Sequence, residues 1–166
     1  MSRAPVVILA CGNPSRGDDA LGPLLLDRLQ TWLDEQGLAA GFELIEEFQW
    51  QVEHALDLAG RRLALFIDAG ERTPAPFVFC QVQATDRALP TTHALSPAAL
   101  LEVLRRIGSE PTPPAFVLCV AGERFVLGEE MSARAQHHAD RALELLRELC
   151  SAPQYAAWQA RLSERI

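Results

Sequence analysis

The chain has 166 residues, 49% hydrophobic and 22% charged, a composition that fits one folded domain around a single core and excludes a disordered or fibrous chain. Its formal net charge is -7 and all 15 basic residues are arginine, clustered no further than the pairs Arg61-Arg62 and Arg105-Arg106, which argues against nucleic-acid binding. No apolar run reaches bilayer length and the amino terminus lacks a basic segment followed by an apolar core, so no membrane is expected and the cytoplasm is the default compartment.

The first element is Pro5-Val6-Val7-Ile8-Leu9, a short β-branched run bounded by turn residues that reads as a buried strand. Beyond it, Leu21, Leu24, Leu25, Leu29 and Trp32 recur at helical spacing, and the helix is expected to run to about Gln36 with Gly37 as its stop. The intervening residues, Ala10 to Gly22, form a tight loop whose carboxylates Asp18 and Asp19 fall on the helix's first turn. Gly12 and Gly17 supply the sharp change of direction. Such a loop lies at the carboxyl end of a strand, where open α/β sheets bind ligands.

Gly41 to Glu46 alternates as a second strand, and Phe48 to Gly60 reads as a short amphipathic helix with a glycine stop. Arg62 to Ala69 is the third strand, carrying Asp68 near its end, and Phe77 to Val82 is the fourth. A polar loop containing His93 leads to Ser96-Pro97, where serine suits an N-cap and proline the first position of a helix running to about Ile107. Ala115 to Val120 is the fifth strand. Helical spacing returns from about Ser132 to Leu149, and Pro153 starts a further amphipathic piece. The expectation is therefore an α/β chain, one domain over 1–166 with its core at about 5–149 and a helical extension over 150–166. Its sheet should be five-stranded, twisted and mostly parallel, with helices on both faces.

Asp19 follows the first strand, Asp68 ends the third and His93 lies in the loop after the fourth, positions that share one rim in a parallel sheet. Two carboxylates and an imidazole suit a divalent metal such as nickel, zinc or manganese. On residue pattern alone, Asp68 also reads as a strand-end turn former, His93 as an ordinary surface histidine, and Asp18 or Asp19 as a helix cap. His54, His137 and His138 sit in amphipathic segments and read as solvated. Cys11, Cys80, Cys119 and Cys150 are far apart with no C-x-x-C pair, which speaks against a disulfide framework or thiolate zinc site; Cys11 reads as a small buried hydrophobe outside the site. Neither G-x-S-x-G, nor H-E-x-x-H, nor a glycine-rich phosphate loop is present.

Gly12-Asn13-Pro14 followed by Arg16-Gly17-Asp18-Asp19-Ala20-Leu21-Gly22 resembles the opening motif of the hydrogenase maturation endopeptidases, which trim the large subunit of [NiFe] hydrogenases. Asp68, His93 in His93-Ala94-Leu95-Ser96-Pro97, and the late segments Val120 to Glu123 and Leu127 to Ser132 match further parts of that pattern, and Phe48 to Leu58 is most similar to proteases serving cytoplasmic, multisubunit hydrogenases. The resemblance implies a peptidase that removes a carboxyl-terminal extension from a nickel-loaded large-subunit precursor. Asp19, Asp68 and His93 would grasp the nickel that arrives with the substrate, and other divalent metals would fit the same site. Asn13, Gly12, Gly17 and Asp18 would shape the loop behind these ligands, so Gly17→Val is expected to impair processing more than folding. Two other functions use the same residues: a non-catalytic checkpoint that binds nickel or precursor, and a metal-dependent hydrolase of a small substrate.

Overall fold

The computed structural model describes residues 3–85, 95–108 and 111–163. Its five strands are β1 (Val6–Cys11), β2 (Phe42–Glu47), β3 (Leu63–Gly70), β4 (Phe77–Val82) and β5 (Ala115–Ala121), and they form one sheet in the order β2-β1-β3-β5-β4. All neighbours are parallel except β4, which runs antiparallel to β5. Helices α1 (Leu21–Gln36), α2 (Pro97–Ile107), α3 (Ala133–Ser151) and α4 (Tyr155–Gln159) complete the described fold.

Period-two alternation sorts each central strand between two cores. Val6, Ile8 and Ala10 of β1, with Leu65 and Ile67 of β3, pack against α1 and α3. Val7, Leu9, Ala64 and Phe66 face the other way, onto Leu100, Leu101 and Leu104 of α2, onto Ala55 and Leu58, and onto Trp50. Of the apolar stripe expected on α1, Leu21, Leu25 and Leu29 are buried and Leu24 and Trp32 half-buried, with Leu26 and Leu33 completing the buried face; α1 ends at Gly37, whose φ of 69° allows the left-handed turn that stops the helix. The cap of α2 is also as its residues dictate, with Ser96 Oγ accepting from the Ala99 amide at 3.1 Å and Pro97 in the first turn.

Three local expectations are corrected. Asp18 and Asp19 occupy a separate 3-10 turn, Gly17–Ala20, ahead of α1 rather than its first turn. The helix expected from Phe48 shortens to a 3-10 segment, Val52–Leu58, because Gln51 and His54 cap each other and fix the start there. His54 and His138 are buried rather than solvated, while His137 is exposed.

Beyond α3, the fully buried Trp158 sets its ring edge-on to Phe116 at 5.3 Å and donates its indole N–H to Leu149 O at 2.9 Å. Ser163 then lies along β4: its amide donates to Phe79 O and its Oγ accepts from the Phe79 amide, both at 2.9 Å. Among the described residues no helix is long and apolar enough to cross a membrane.

Candidate active site

Cys11 ends β1 and Asp68 lies in the neighbouring strand β3. Leu9 and Phe66 are paired in register and face the α2 side, and Cys11 and Asp68 each stand two residues further along. Alternation therefore sends the thiol and the carboxylate to the same face, side by side at the carboxyl rim of the sheet. Asp19 joins them from the 3-10 turn. Its Oδ2 accepts the Asn13 amide at 2.8 Å, while Asn13 Oδ1 accepts the Ser15 amide at 2.9 Å, so the asparagine holds both the turn and the carboxylate.

Two glycines make this loop possible. Gly12 has a φ of 151° and a Cβ there would stand 2.0 Å from Asp19 O; Gly17 has a φ of 55° and a Cβ there would stand 2.4 Å from Arg124 O. A larger residue at either position would force neighbouring backbone to shift.

Asp18, adjacent in sequence to Asp19, points the opposite way and is fully buried. Its carboxylate accepts from the amides of Glu123 at 2.7 Å, Arg124 at 3.0 Å and Ser132 at 2.7 Å, and from Ser132 Oγ at 2.9 Å. Burial pushes this carboxyl up, but the four donors outweigh it and hold the group below the ordinary carboxylate range. Asp18 thus ties the first loop to the segment between β5 and α3. Ser132 in turn caps α3 through its Oγ, which accepts the Ala135 amide at 3.1 Å. The same two segments are laced by Gly17 N–H to Glu129 O at 3.1 Å and by Arg16 Nε–H to Phe125 O at 2.8 Å.

The electrostatics on the rim are different. Burial pushes the Asp68 carboxyl up to about 6; the Ala69 amide, 2.8 Å from Oδ1, pulls it back, and the nearby negative charge of Asp19 raises it again. Cys11 is pushed up to about 12, first by burial and then by the charges of Asp68 and Asp19, so it is a neutral thiol whose Sγ–H donates to Phe48 O at 3.2 Å. Cys11, expected to lie outside the site, shares its electrostatic environment. A sequence signal existed: Cys11 and Asp68 end adjacent strands, but only the register makes them neighbours.

His93, the third residue of the expected triad, lies outside the described residues. The reason given for placing it on the rim needs correction, because β4 is antiparallel and its carboxyl end, Val82 opposite Ala115, sits at the other end of the sheet. Leu95, the first described residue beyond His93, donates its amide to Trp50 O at 3.3 Å. Among the described residues no three histidine, cysteine, aspartate or glutamate side chains are grouped to hold a metal ion. Asp19 and Asp68 offer hard oxygen donors, which suit a divalent cation.

Solved structures share this architecture along nearly the whole chain. The hydrogenase maturating endopeptidase HybD from E. coli superposes with a TM-score of 0.66 over 92% of this chain and 94% of its own, at 20% identity. The [NiFe] hydrogenase maturation protease HycI from Thermococcus kodakarensis gives 0.64 over 90% and 94%, at 23% identity. The fold is that of the hydrogenase maturation endopeptidases. The solution structure of the endopeptidase HycI from Escherichia coli gives 0.63 over 90% of this chain and 91% of its own, at 18% identity. No family model matches the sequence, and no curated protein matches it.

Proposed function

We propose that this chain is a hydrogenase maturation endopeptidase that cleaves the carboxyl-terminal extension from a nickel-loaded [NiFe] hydrogenase large-subunit precursor in the cytoplasm. The observation that carries the reading is the convergence of Asp19 and Asp68 on the carboxyl rim, in a fold shared over nine-tenths of the chain with such proteases. Nickel is treated as part of the substrate: the two carboxylates, with His93 as the third ligand, grasp the metal that the precursor carries and so position the nearby peptide bond. The Leu95 amide bonded to Trp50, whose own backbone N–H faces Cys11, supports this role for His93, since it ties the chain two residues downstream to the same rim.

Within that reading both carboxylates present oxygen donors to the metal. Asp19 is oriented by the Asn13 amide. Asp68, raised to about 6 by burial and by the charge of Asp19, still ionises at neutral pH, and a cation between the two carboxylates would relieve their repulsion. The neutral Cys11 thiol keeps its proton on Phe48 O and takes no nucleophilic part.

The test is to incubate the protein with nickel-loaded and nickel-free precursor and weigh the large subunit by mass spectrometry. Shortening of the loaded form alone is expected, and it should be lost in Asp19→Asn, Asp68→Asn and His93→Ala. An intact loaded precursor overturns the reading, and tight binding without cleavage replaces it with a checkpoint.

A further inference from the structure

The two outer strands of the sheet finish their ladders differently. β2 pairs with β1 and, among the described residues, with no other strand. Its Glu47 O accepts the Gly12 amide at 3.0 Å, so the peptide groups of Glu47 face β1, and period-two alternation turns those of Ile45 and Glu43 the same way. The N–H and C=O of Leu44 and Glu46 therefore point away from the sheet. At the far edge, by contrast, the amide and carbonyl of Phe79 are bonded to Ser163.

The side chains of the same two residues lie on the α1 face, where Leu44 and Glu46 join Leu26, Asp27 and Gln30 in lining a groove of about 240 Å3. An extended chain laid along β2 finds backbone partners at alternate residues, and a place beside Leu44 and Leu26 for a side chain with an apolar body. Sheets take on a peptide as an extra strand in this way. Charge disfavours a second copy as that strand, because it would bring Glu43, Glu46 and Glu47 against their own equivalents, and like charges across a strand pair repel.

Location selects the peptide. β2 ends where the site begins: Glu47 holds the Gly12 amide of the loop that carries Asp19, and the next carbonyl, that of Phe48, holds the Cys11 thiol beside Asp68. A strand added outside β2 lies three strand spacings from β3, about 14 Å, which about four extended residues span. A chain whose scissile bond sits at Asp68 therefore reaches the β2 edge a few residues further on. The part upstream of the cut is anchored in the folded body of the substrate, whereas the extension has a free end and can lie along an edge. Entering at the carboxyl rim, it runs antiparallel to β2.

We infer that the outer edge of β2 is an exosite that binds the substrate's peptide extension as an additional antiparallel strand, its backbone paired with Leu44 and Glu46. The inference rests on the peptidase reading for its substrate, but binding is read without cleavage. The probe is a synthetic peptide with the carboxyl-terminal sequence of the precursor, titrated into the full chain while amide hydrogen exchange is followed by NMR. Exchange at Leu44 and Glu46 should slow, and that at Glu43 and Ile45, already bonded to β1, should change little. Methylating the peptide's backbone nitrogens one at a time should weaken binding about ten-fold at every second position and leave the positions between unaffected. Glu46→Pro deletes one outward N–H while keeping the β1 ladder, and should also weaken binding about ten-fold. The methylated peptides act on the unaltered chain and keep the test decisive should Glu46→Pro not fold.

Absence of binding, binding without protection at Leu44 and Glu46, or methylated peptides that all bind alike would each overturn the exosite. Processing of loaded precursor by a chain whose β2 edge takes no peptide would remove the exosite and leave the peptidase reading standing. The alternating signature in a chain that leaves loaded precursor intact would retain the peptide-binding edge and remove its part in processing.

Discussion

The chamber around Asp18 and the rim around Asp68 are built on neighbouring strands, yet they treat a carboxylate in opposite ways. Asp18 is enclosed, with four donors aimed at it, and becomes a stronger acid than a free aspartate. Asp68 is desolvated, has the Ala69 amide and the repelling charge of Asp19 for company, and becomes a weaker one. The first arrangement stabilises the fold by satisfying a charge. The second costs stability, because a charge that is buried with one donor and a like-charged neighbour is poorly compensated.

The largest expected effect follows from the chamber. Asp18→Asn removes the charge that four donors were arranged around, and should cost about 3 kcal/mol in urea unfolding, within the range for breaking a buried network. The pH dependence has a matching sign. A carboxyl lowered from its ordinary 3.8 stabilises the fold above that value, and this stabilisation fades as pH falls through the lower folded value. An Asp18→Asn protein as stable as the wild type at pH 7 would erase the contrast.

Gly17→Val comes next. Its positive φ and the 2.4 Å approach to Arg124 O make it a folding defect of about 2 to 3 kcal/mol, so unfolding and processing should be lost together. This reverses the expectation from sequence that Gly17→Val impairs processing more than folding. Full stability with failed processing would restore that view.

Asp68→Asn should do the reverse and raise stability at pH 7 by on the order of 2 kcal/mol while processing is lost, because the amide keeps the shape and removes the penalised charge. A carboxyl raised from 3.8 to about 6 binds more protons folded than unfolded, so its contribution is fully present below about 4 and is lost as pH rises through 6. Comparing the pH profiles of wild type and Asp68→Asn by thermal melting isolates it. A destabilised Asp68→Asn would mean that the rim carboxylate is structural.

The smallest effect concerns Cys11. With its thiol pushed up to about 12, iodoacetamide at pH 8 should modify the exposed Cys80 well before Cys11, as read by peptide mapping. Cys11→Ser should change stability by less than about 1 kcal/mol, the scale of one exchanged hydrogen bond. Rapid alkylation of Cys11 would show that the rim does not repel negative charge as described.

Much of the frame is legible in the residues. The β1-loop-α1 unit follows from a β-branched run, glycines at the turn and a leucine stripe, and Ser96-Pro97 marks the start of α2 within one residue. Other features have no local signature. Alternation in Phe77 to Val82 identifies a strand but not its direction, so the antiparallel β4 was open to misreading. The partners of Asp18 are chiefly backbone amides 105, 106 and 114 residues away, and an amide is the same in every residue. His138 and His137 are adjacent on one helix, and only the packing of α3 decides which is buried. Cys11 needed the β1–β3 register to become a neighbour of Asp68.

Ser163 occupies a place whose importance extends beyond this molecule. Phe77, Val78 and Phe79 lie on an apolar outer strand that pairs with β5 on one side only, the kind of edge whose outward backbone groups recruit strands from other chains. By taking the amide and carbonyl of Phe79 for itself, one serine near the end of the described chain blocks that template at its centre. The short segment from Trp158 to Ser163 is therefore a guard against self-association as well as a piece of the core, and a chain trimmed before it would present a sticky border to its own copies.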